Sequence, residues 1–326
     1  MKVLVTGASG FIGSTLVDQL SKDPHITEVR ALLRSTSSRE NLAGLSYKEA
    51  MGSLSDRKSL EKAMSGVDVV YHLAGVTAAL NVEGYMIPNA QGTEVLGQVA
   101  KECQVKRVVY VSSLAAGGPG RPNHPRQELE DPSPVSLYGK SKLEGEKRLV
   151  ASGAPCMIIR PPMVYGPKDK DVLVIIKTVA SRLAPRIEGP RGQKFYSIIH
   201  SEDLCRAIRH LSKIENLKSG EVFYVGENVQ YTYQQIIQSM SEALGVKPLS
   251  FVLPQSAMKI LANSMGVLSR LTGKVYPLNP DKFYEIAVDY WTCDPTKANA
   301  TGWSAEISLA TGMKETVRWY RQRNWL

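Results

Sequence analysis

The chain has 326 residues, of which 43% are hydrophobic, so it is long enough for one large domain or two coupled domains with a sizeable core. The formal net charge is +9, but the sequence has no block of five or six consecutive lysines or arginines. The charge therefore does not indicate nucleic-acid binding, and an enzyme that binds anionic small molecules accounts for it at least as well.

The four cysteines, Cys103, Cys156, Cys205 and Cys293, lie far apart and form no C-x-x-C pair. Their spacing indicates neither a zinc site nor a disulfide framework, and it fits reduced thiols in a cytoplasmic protein. The predicted first strand begins at residue 2 and leaves no room for a signal peptide. Because no uncharged apolar run reaches the length of a membrane span, we expect a cytoplasmic location.

The first structured stretch runs from an apolar strand, Val3 to Val5, through three glycines spaced three apart into a helix over 10–21. A strand, a tight glycine turn and a helix N-terminus at this spacing predict dinucleotide binding, with the phosphates on the free amides of the helix start. An ordinary glycine turn is the alternative. The residues predicted to hold the cofactor here are Gly7, Ser9, Gly10, Phe11, Ile12 and Gly13.

The second predicted strand, Val29 to Leu33, ends at Arg34, which lies 21 residues beyond Gly13. In NAD-specific sites an acidic residue about here binds the ribose hydroxyls, whereas an arginine accommodates the extra phosphate of NADP. The sequence therefore favours NADP as cofactor. A solvated surface arginine, with NAD as cofactor, remains the alternative.

Strands and helices alternate through the next part of the chain, which predicts a parallel, doubly wound α/β sheet. Small residues, Ala74 and Gly75, follow Leu73 at the end of the fourth strand and permit cofactor approach, while His72 is predicted to be structural. The predicted elements are a strand over 47–50, a helix capped by Asp56 and reaching Met64, a strand over 67–73, a helix over 89–102 and a strand over 107–112.

Beyond the fifth strand, the glycine-rich residues 117–120 are predicted to form a flexible loop that walls the site. A sixth strand over 156–160 follows, and from Tyr165 the alternation loosens. The remaining predicted elements are a helix over 171–183, a strand over 195–200, a helix capped by Ser201, a strand over 221–225, a helix over 232–244, a strand over 249–252, a helix over 254–272 and a helix over 308–324.

These elements predict two lobes. Residues 1–165 form a dinucleotide-binding domain, to which 195–225 return. Residues 166–194 and 226–326 form a smaller, mostly C-terminal α/β lobe that binds the substrate.

Tyr138 and Lys142 are four residues apart in a predicted helix, so their side chains share one face. A phenol is a poor base near neutral pH, but a neighbouring ammonium and an oxidised nicotinamide both lower its pKa. Tyr138 is then predicted to exchange a proton with an alcohol or a carbonyl, and Lys142 to hold the nicotinamide ribose. Taken alone, the pair is as consistent with an ordinary surface contact.

Ser112 and Ser113 end the fifth predicted strand, where hydroxyls point into the crevice above the sheet. A hydroxyl there can polarise the reacting oxygen, or it can simply satisfy backbone groups at the strand end. Ser113 is favoured over Ser112 as the active hydroxyl, because the strand end resembles that of a known dehydrogenase family in which this position is active.

Together these pieces resemble the extended short-chain dehydrogenase/reductases. The matching motifs span nearly the whole chain: 6–13 (TGASGFIG), 72–75 (HLAG), 111–113 (VSS), 138–142 (YGKSK), 160–167 (RPPMVYGP) and 199–204 (IHSEDL). The resemblance implies a Rossmann-type fold, a Ser113/Tyr138/Lys142 triad and hydride transfer at C4 of nicotinamide. It also implies that Pro161 and Val164 line the nicotinamide and that Leu54 packs by the adenine, although Ser53 departs from the acidic residue usual before that leucine. A homodimer joined through the helices after strands four and five is implied as well.

Within this family, Leu114-Ala115 stands where sugar dehydratases carry an acidic pair, and the run 194–197 lacks the Arg-Asp element common in sugar epimerases. The branch resembled is that of 3β-hydroxysteroid dehydrogenases and dihydroflavonol reductases. We therefore expect an NAD(P)-dependent oxidoreductase acting on a small secondary alcohol or ketone, with hydrophobic ring compounds as one class. A nucleotide-sugar epimerase and a non-catalytic NADP-binding sensor or scaffold are the alternatives.

The predicted helix over 254–272 carries an apolar stripe: Met258, Ile260, Leu261, Met265, Val267, Leu268 and Leu271. An apolar substrate pocket, or membrane-surface contact through Lys259, Arg270 and Lys274, would each use such a stripe. Because apolar stripes on surface helices usually face inward, the favoured interpretation is packing against the core of the substrate lobe.

Overall fold

A computed structural model describes residues 1–186, 192–276 and 278–326. It contains a seven-stranded parallel sheet in the order β3-β2-β1-β4-β5-β6-β11, which is the Rossmann-type order with one added strand. The predicted α/β fold class is confirmed. The sheet strands are β1 (Lys2–Thr6), β2 (Glu28–Leu33), β3 (Lys48–Met51), β4 (Val69–His72), β5 (Arg107–Val111), β6 (Cys156–Arg160) and β11 (Glu221–Tyr224).

Helices cover both faces of this sheet. Those of the first half are α1 (Phe11–Ser21), α2 (Arg57–Met64), α3 (Val82–Met86), α4 (Gly92–Glu102), α5 (Leu114–Gly117) and α6 (Leu137–Ala151). Those of the second half are α7 (Asp171–Ala180), α8 (Ser201–Leu211), α9 (Tyr233–Leu244), α10 (Gln255–Thr272), α11 (Pro280–Ile286), α12 (Thr296–Asn299) and α13 (Leu309–Gln322).

The central strands are nearly continuous apolar runs because helices bury them on both sides. One core cluster packs β1 and β5 against α1 and α8, and another packs the opposite face against α2 and α4. The strand order reverses between β1 and β4, which opens a crevice at their carboxyl ends. Ligands bind at such a point in open α/β sheets.

Small sheets build the remainder of the described chain. Their strands are β7 (Met163–Tyr165), β8 (Leu183–Arg186), β9 (Phe195–Tyr196), β10 (Ile198–His200), β12 (Tyr231–Thr232), β13 (Leu249–Val252) and β14 (Tyr290–Trp291). They pair as β7-β10, β12-β9-β14 and β8-β13. The boundary between the two predicted lobes stays a prediction.

Several predicted elements differ from the structure. The helix predicted over 171–183 ends at Ala180, because Arg182 adopts a left-handed backbone (φ +61°) and Leu183 begins β8. The strand predicted over 195–200 is two strands in different sheets, split at Ser197. The cap of α8 is His200, not Ser201, and its Nδ1 accepts from the backbone amide of Glu202 at 3.4 Å.

The loop predicted at 117–120 is packed rather than flexible. Gly117 ends α5, and both Gly117 and Gly118 are buried. A Cβ on Gly118 would lie 2.3 Å from the carbonyl oxygen of Ser133. Gly120 donates its amide to the carbonyl of Tyr290 at 2.9 Å.

The interpretation of the helix over 254–272 as core packing is wrong for most of its stripe. Only Met258, Ala262 and Ser269 of α10 are buried. Ile260, Leu261, Val267, Leu268 and Leu271 are exposed. Over the described ranges, no helix is both long enough and apolar enough to cross a bilayer.

Candidate active site

Two of the three glycines after β1, Gly7 and Gly13, are required by close backbone contacts. Gly7 has a left-handed φ of +69°, and a Cβ there would lie 2.7 Å from the amide nitrogen of Ala74. A Cβ on Gly13 would lie 2.1 Å from the carbonyl oxygen of Gly7. Gly10 is the N-cap of α1, so the amides of Phe11 and Ile12 in the first turn meet no capping side chain. This is the geometry of a phosphate-binding helix N-terminus.

A lysine that sequence reasoning missed lies beside this turn. The Lys168 ammonium donates to Ser14 Oγ at 3.1 Å and to the carbonyl of Asn41 at 3.3 Å. Asn41 in turn donates to the carbonyl of Ser9 at 3.0 Å. Lys168 is far in sequence from the glycines, so no local pattern could reveal it.

The end of β4 is fixed by a buried chain of hydrogen bonds. Thr6 Oγ1 lies 3.2 Å from the Ala74 amide and 2.7 Å from His72 Nδ1, and His72 Nε2 lies 3.0 Å from Thr93 Oγ1. Thr93 donates onward to the carbonyl of Asn89 at 2.8 Å. Thr93 therefore accepts from a proton on Nε2, and Nδ1 accepts from Thr6.

Burial lowers the pKa of His72 to about 3, so its ring is neutral. Both ring nitrogens are engaged within the protein. This agrees with the structural role expected for His72, which holds residues 73–75 at the edge of the crevice.

Asn89 is a second residue that sequence reasoning missed. It lies in a π-helical turn (Ile87–Gln91) between α3 and α4, is fully buried, and its side chain bonds both backbone groups of Val76 and the hydroxyl of Ser141. Such turns often occur at functional sites. Here the amide joins the loop after β4 to α6, the helix that carries Tyr138 and Lys142.

Two glycines bring α6 against its neighbours. A Cβ on Gly139 would lie 2.3 Å from the carbonyl oxygen of Ala115, and one on Gly145 would lie 2.2 Å from that of Asn89. Lys142 is buried, and its Nζ donates to the carbonyl of Val111 at 2.9 Å. The same ammonium lies near Gly75, where a Cβ would be 3.8 Å away.

Tyr138 and Ser113 are hydrogen-bonded to each other, and Lys142 lies four residues beyond Tyr138 on α6. A hydrogen bond from Ser113 lowers the pKa of Tyr138, but burial outweighs it, and Glu285 and Asp171 add to the upward shift. The phenol of the protein alone therefore has a raised pKa, contrary to the lowering expected from Lys142. Burial also lowers the pKa of Lys142, to about 7.

The two serines at the end of β5 have different partners. Ser112 is buried and bonds to Glu146, which forms a buried bidentate pair with Arg160 at 3.0 and 2.6 Å. Ser113 Oγ accepts from the amide of Ala115 at 3.1 Å, so it does satisfy the backbone, yet it keeps a proton to donate. The geometry thus leaves Ser113 as the hydroxyl at the crevice.

The other predicted cofactor residues flank this crevice. Leu54 packs against Gly92, where a Cβ would lie 2.9 Å from Leu54 Cβ. Arg34 is exposed at the end of β2. The Pro161 carbonyl accepts a hydrogen bond from the Leu114 amide at 2.8 Å. Val164 in β7 is the strand partner of Ile199 in β10. Ser53, which stands where the resembled family has an acidic residue, forms a hydrogen bond with the Ser55 hydroxyl at 2.9 Å.

A contact from the distant helix α11 holds the start of α6. Asp281 accepts from the amides of Leu137 and Tyr138 at 2.6 and 3.2 Å. The Ser136 hydroxyl caps α6 and donates to Glu285 at 2.8 Å. The segment that carries Tyr138 is therefore positioned by residues near the C-terminal end of the sequence.

The model of the NAD dependent epimerase/dehydratase family matches residues 3–226. The chain belongs to this family. Its members are NAD(P)-dependent oxidoreductases and epimerases.

The chain is 28% identical over 325 residues to a ceramide reductase of Caulobacter vibrioides, covering 99% of this chain and 96% of that protein. It is 26% identical over 274 residues to a 4-hydroxy-2-methyl-3-oxo-4-farnesyl-3,4-dihydroquinoline-1-oxide ketoreductase of Stigmatella aurantiaca, covering 81% and 79%. The UDP-glucose 4-epimerase of Thermotoga maritima, solved with UDP-glucose, has a TM-score of 0.79 and 25% identity, covering 99% and 100%. The chain is thus similar in sequence to two reductases and similar in fold to an epimerase.

The residues present fit the family's dinucleotide. Gly7 and Gly13 let the turn pack closely against residues 73–74 and against the start of α1, whose first-turn amides meet no capping side chain. Residues 9–12 of this turn would hold the phosphates, and Tyr138 and Lys142 would lie at the nicotinamide end.

Proposed function

We propose that the protein is an NADP(H)-preferring oxidoreductase that interconverts a ketone and a secondary alcohol on an apolar substrate, within the 3β-hydroxysteroid dehydrogenase/dihydroflavonol reductase-like branch. The observation that carries this proposal is the convergence of Ser113, Tyr138 and Lys142 at the carboxyl end of β5. Two relatives bear the names of reductases, one of a ceramide and one of a farnesyl-bearing quinoline oxide, which supports an apolar substrate.

The bound dinucleotide would supply or accept the hydride. Ser113 would donate a hydrogen bond to the substrate oxygen, and the Tyr138 phenol would transfer its proton to that oxygen during reduction. Because burial raises the pKa of Tyr138 in the protein alone, the phenol carries the proton that this step transfers. Lys142 would bind the nicotinamide ribose and, when charged, stabilise the phenolate left after proton transfer.

Replacing Tyr138→Phe removes the transferable proton while keeping the ring. We expect turnover of ketones to fall by about a hundredfold to ten-thousandfold, which is the contribution of general acid–base catalysis, with NADPH affinity retained. NADPH fluorescence titration and a turnover assay on a panel of sterol-like, flavonoid-like and sugar-nucleotide compounds measure both. Full activity in the variant would refute the assignment.

Cofactor choice is tested at Arg34. In Arg34→Ser we expect NADPH affinity to fall about ten- to a hundredfold, as for loss of a charged hydrogen bond, with NADH affinity unchanged. Arg39→Ser is the matched control, because the Arg39 guanidinium is paired with Glu49 at 3.0 Å. Equal loss of NADPH affinity in both variants would contradict a specific role for Arg34.

The likeness to UDP-glucose 4-epimerase supports a second candidate, a nucleotide-sugar epimerase. Such an enzyme keeps its cofactor bound and shows no net change in NADPH absorbance while its substrate is inverted. Tight NADPH binding without turnover on any substrate would instead indicate a sensor or scaffold. We also propose that the protein forms a homodimer through α4 and α6. Size-exclusion chromatography with light scattering measures the mass of the protein in solution and tests this proposal.

A further inference from the structure

The outward face of α10 is apolar along the length of the helix. Ile260, Val267 and Leu271 are spaced so that they share one face, and they are 68%, 55% and 79% exposed. The buried side chains of α10, Met258, Ala262 and Ser269, lie on the opposite face. Single exposed apolar residues are ordinary, but an aligned row of them marks an interaction surface.

The segment of chain that carries this face has charges of one sign. From residue 243 to residue 280 the sequence has no aspartate or glutamate, whereas Lys247, Lys259, Arg270 and Lys274 all lie within it. Lys259, Arg270 and Lys274 are exposed on α10 or just after it. An apolar face bordered by basic residues is complementary to an anionic lipid surface, where aliphatic side chains enter the acyl boundary and cations meet phosphates.

The opposite, inner side of α10 packs towards the candidate active site. Gly266 on α10 faces Pro280, the first residue of α11, where a Cβ would lie 2.8 Å from the proline ring. The next residue, Asp281, accepts the backbone amide of Tyr138 at 3.2 Å. α10 therefore contacts α11, and α11 in turn contacts the backbone of Tyr138, the proposed acid.

We infer that α10 docks the protein on the surface of a bilayer that contains anionic lipid, lying along it without spanning it. On the further condition that the proposed function holds, the ketone or alcohol is a lipid-borne molecule taken from that surface. Docking itself does not depend on catalysis.

The test is sedimentation of the full-length protein with vesicles of phosphatidylcholine alone or with 30% phosphatidylglycerol. We expect binding to the anionic vesicles that weakens as salt is raised. In the double variant Ile260→Glu/Leu271→Glu, apparent affinity should fall by at least about tenfold, as expected when two aliphatic side chains no longer enter the membrane. The control Leu129→Glu/Val229→Glu adds the same charge at two other exposed positions and should bind like wild type.

NADPH titration of both double variants checks that the Rossmann-type domain is folded. Absence of wild-type binding to anionic vesicles, or equal binding by the α10 variant, would overturn the inference. So would a wild-type dimer that the α10 variant converts to monomer without any vesicle binding, since the face would then cover a second copy. Because vesicle binding is read without turnover, a failure here is distinct from full activity in Tyr138→Phe.

Discussion

The buried ammonium of Lys142 makes the strongest energetic prediction. Its side chain is 4% exposed, and burial lowers its pKa from 10.5 to about 7, with only Glu146 opposing the shift. The unfolded chain holds this proton up to about pH 10.5, whereas the folded chain releases it near pH 7. Between these values the unfolded state binds more protons, so the free energy of unfolding rises with pH across this window and the gain is lost as pH falls through 7.

The magnitude follows from the shift. Each pH unit inside the window adds up to about 1.4 kcal/mol, which gives about 2 kcal/mol between pH 7 and pH 9. Lys142→Met removes the titrating amine while keeping a side chain of similar length. The unfolding free energy of wild type minus that of Lys142→Met should therefore increase by about 2 kcal/mol from pH 7 to pH 9.

Urea unfolding followed by tryptophan fluorescence at pH 7, 8 and 9, without added dinucleotide, measures this difference. Subtracting the variant cancels the titration of other groups. Lys140→Met is the matched control, because Lys140 is exposed on the same helix and should show no such increase. A difference between wild type and Lys142→Met that does not change with pH would refute the reasoning, since it would mean that folding leaves the Lys142 pKa unshifted.

Two further variants test how α6 is held. Gly139→Ala would place a Cβ 2.3 Å from the carbonyl oxygen of Ala115, so we expect α6 to shift. Turnover should then fall at least tenfold while NADPH still binds. Unchanged turnover would contradict this packing of α6. Glu146→Gln removes the charge that Arg160 pairs with in the interior, and we expect about 3–5 kcal/mol lower unfolding free energy by urea titration. The control Glu49→Gln, at an exposed ion pair with Arg39, should change the unfolding free energy far less.

Short-range patterns predicted the part of the site that is local in sequence. The spacing of Gly7, Gly10 and Gly13 encodes a strand, turn and helix within twelve residues, and Tyr138 and Lys142 lie one helical turn apart. Alternating strands and helices also sufficed for the sheet, because parallel strands need helical crossovers. These features depend on backbone geometry that a few neighbouring residues determine.

Features that depend on distant contacts were not predictable in this way. Lys168 reaches α1 across about 150 residues, and the raised pKa of Tyr138 depends on burial and on Glu285 and Asp171. The prediction that the apolar stripe of α10 packs against the core was wrong for a related reason. Both of its faces carry apolar residues, so the 3.6-residue period alone cannot tell which face is buried.

The contact between α11 and α6 is where this limit matters for function. Asp281 lies 143 residues beyond Tyr138, yet its carboxylate accepts two amides at the N-terminus of α6, where negative charge is stabilising. Asp281→Asn leaves one acceptor and no charge, so we expect about 1 kcal/mol lower unfolding free energy and a five- to tenfold lower kcat, with NADPH affinity unchanged. The control is Asp294→Asn, because the Asp294 carboxylate also accepts a backbone amide, that of Thr296 at 3.0 Å, but does not contact α6. This variant should lose similar stability without a lower kcat. Equal kcat values in the two variants would show that Asp281 stabilises the fold without positioning Tyr138.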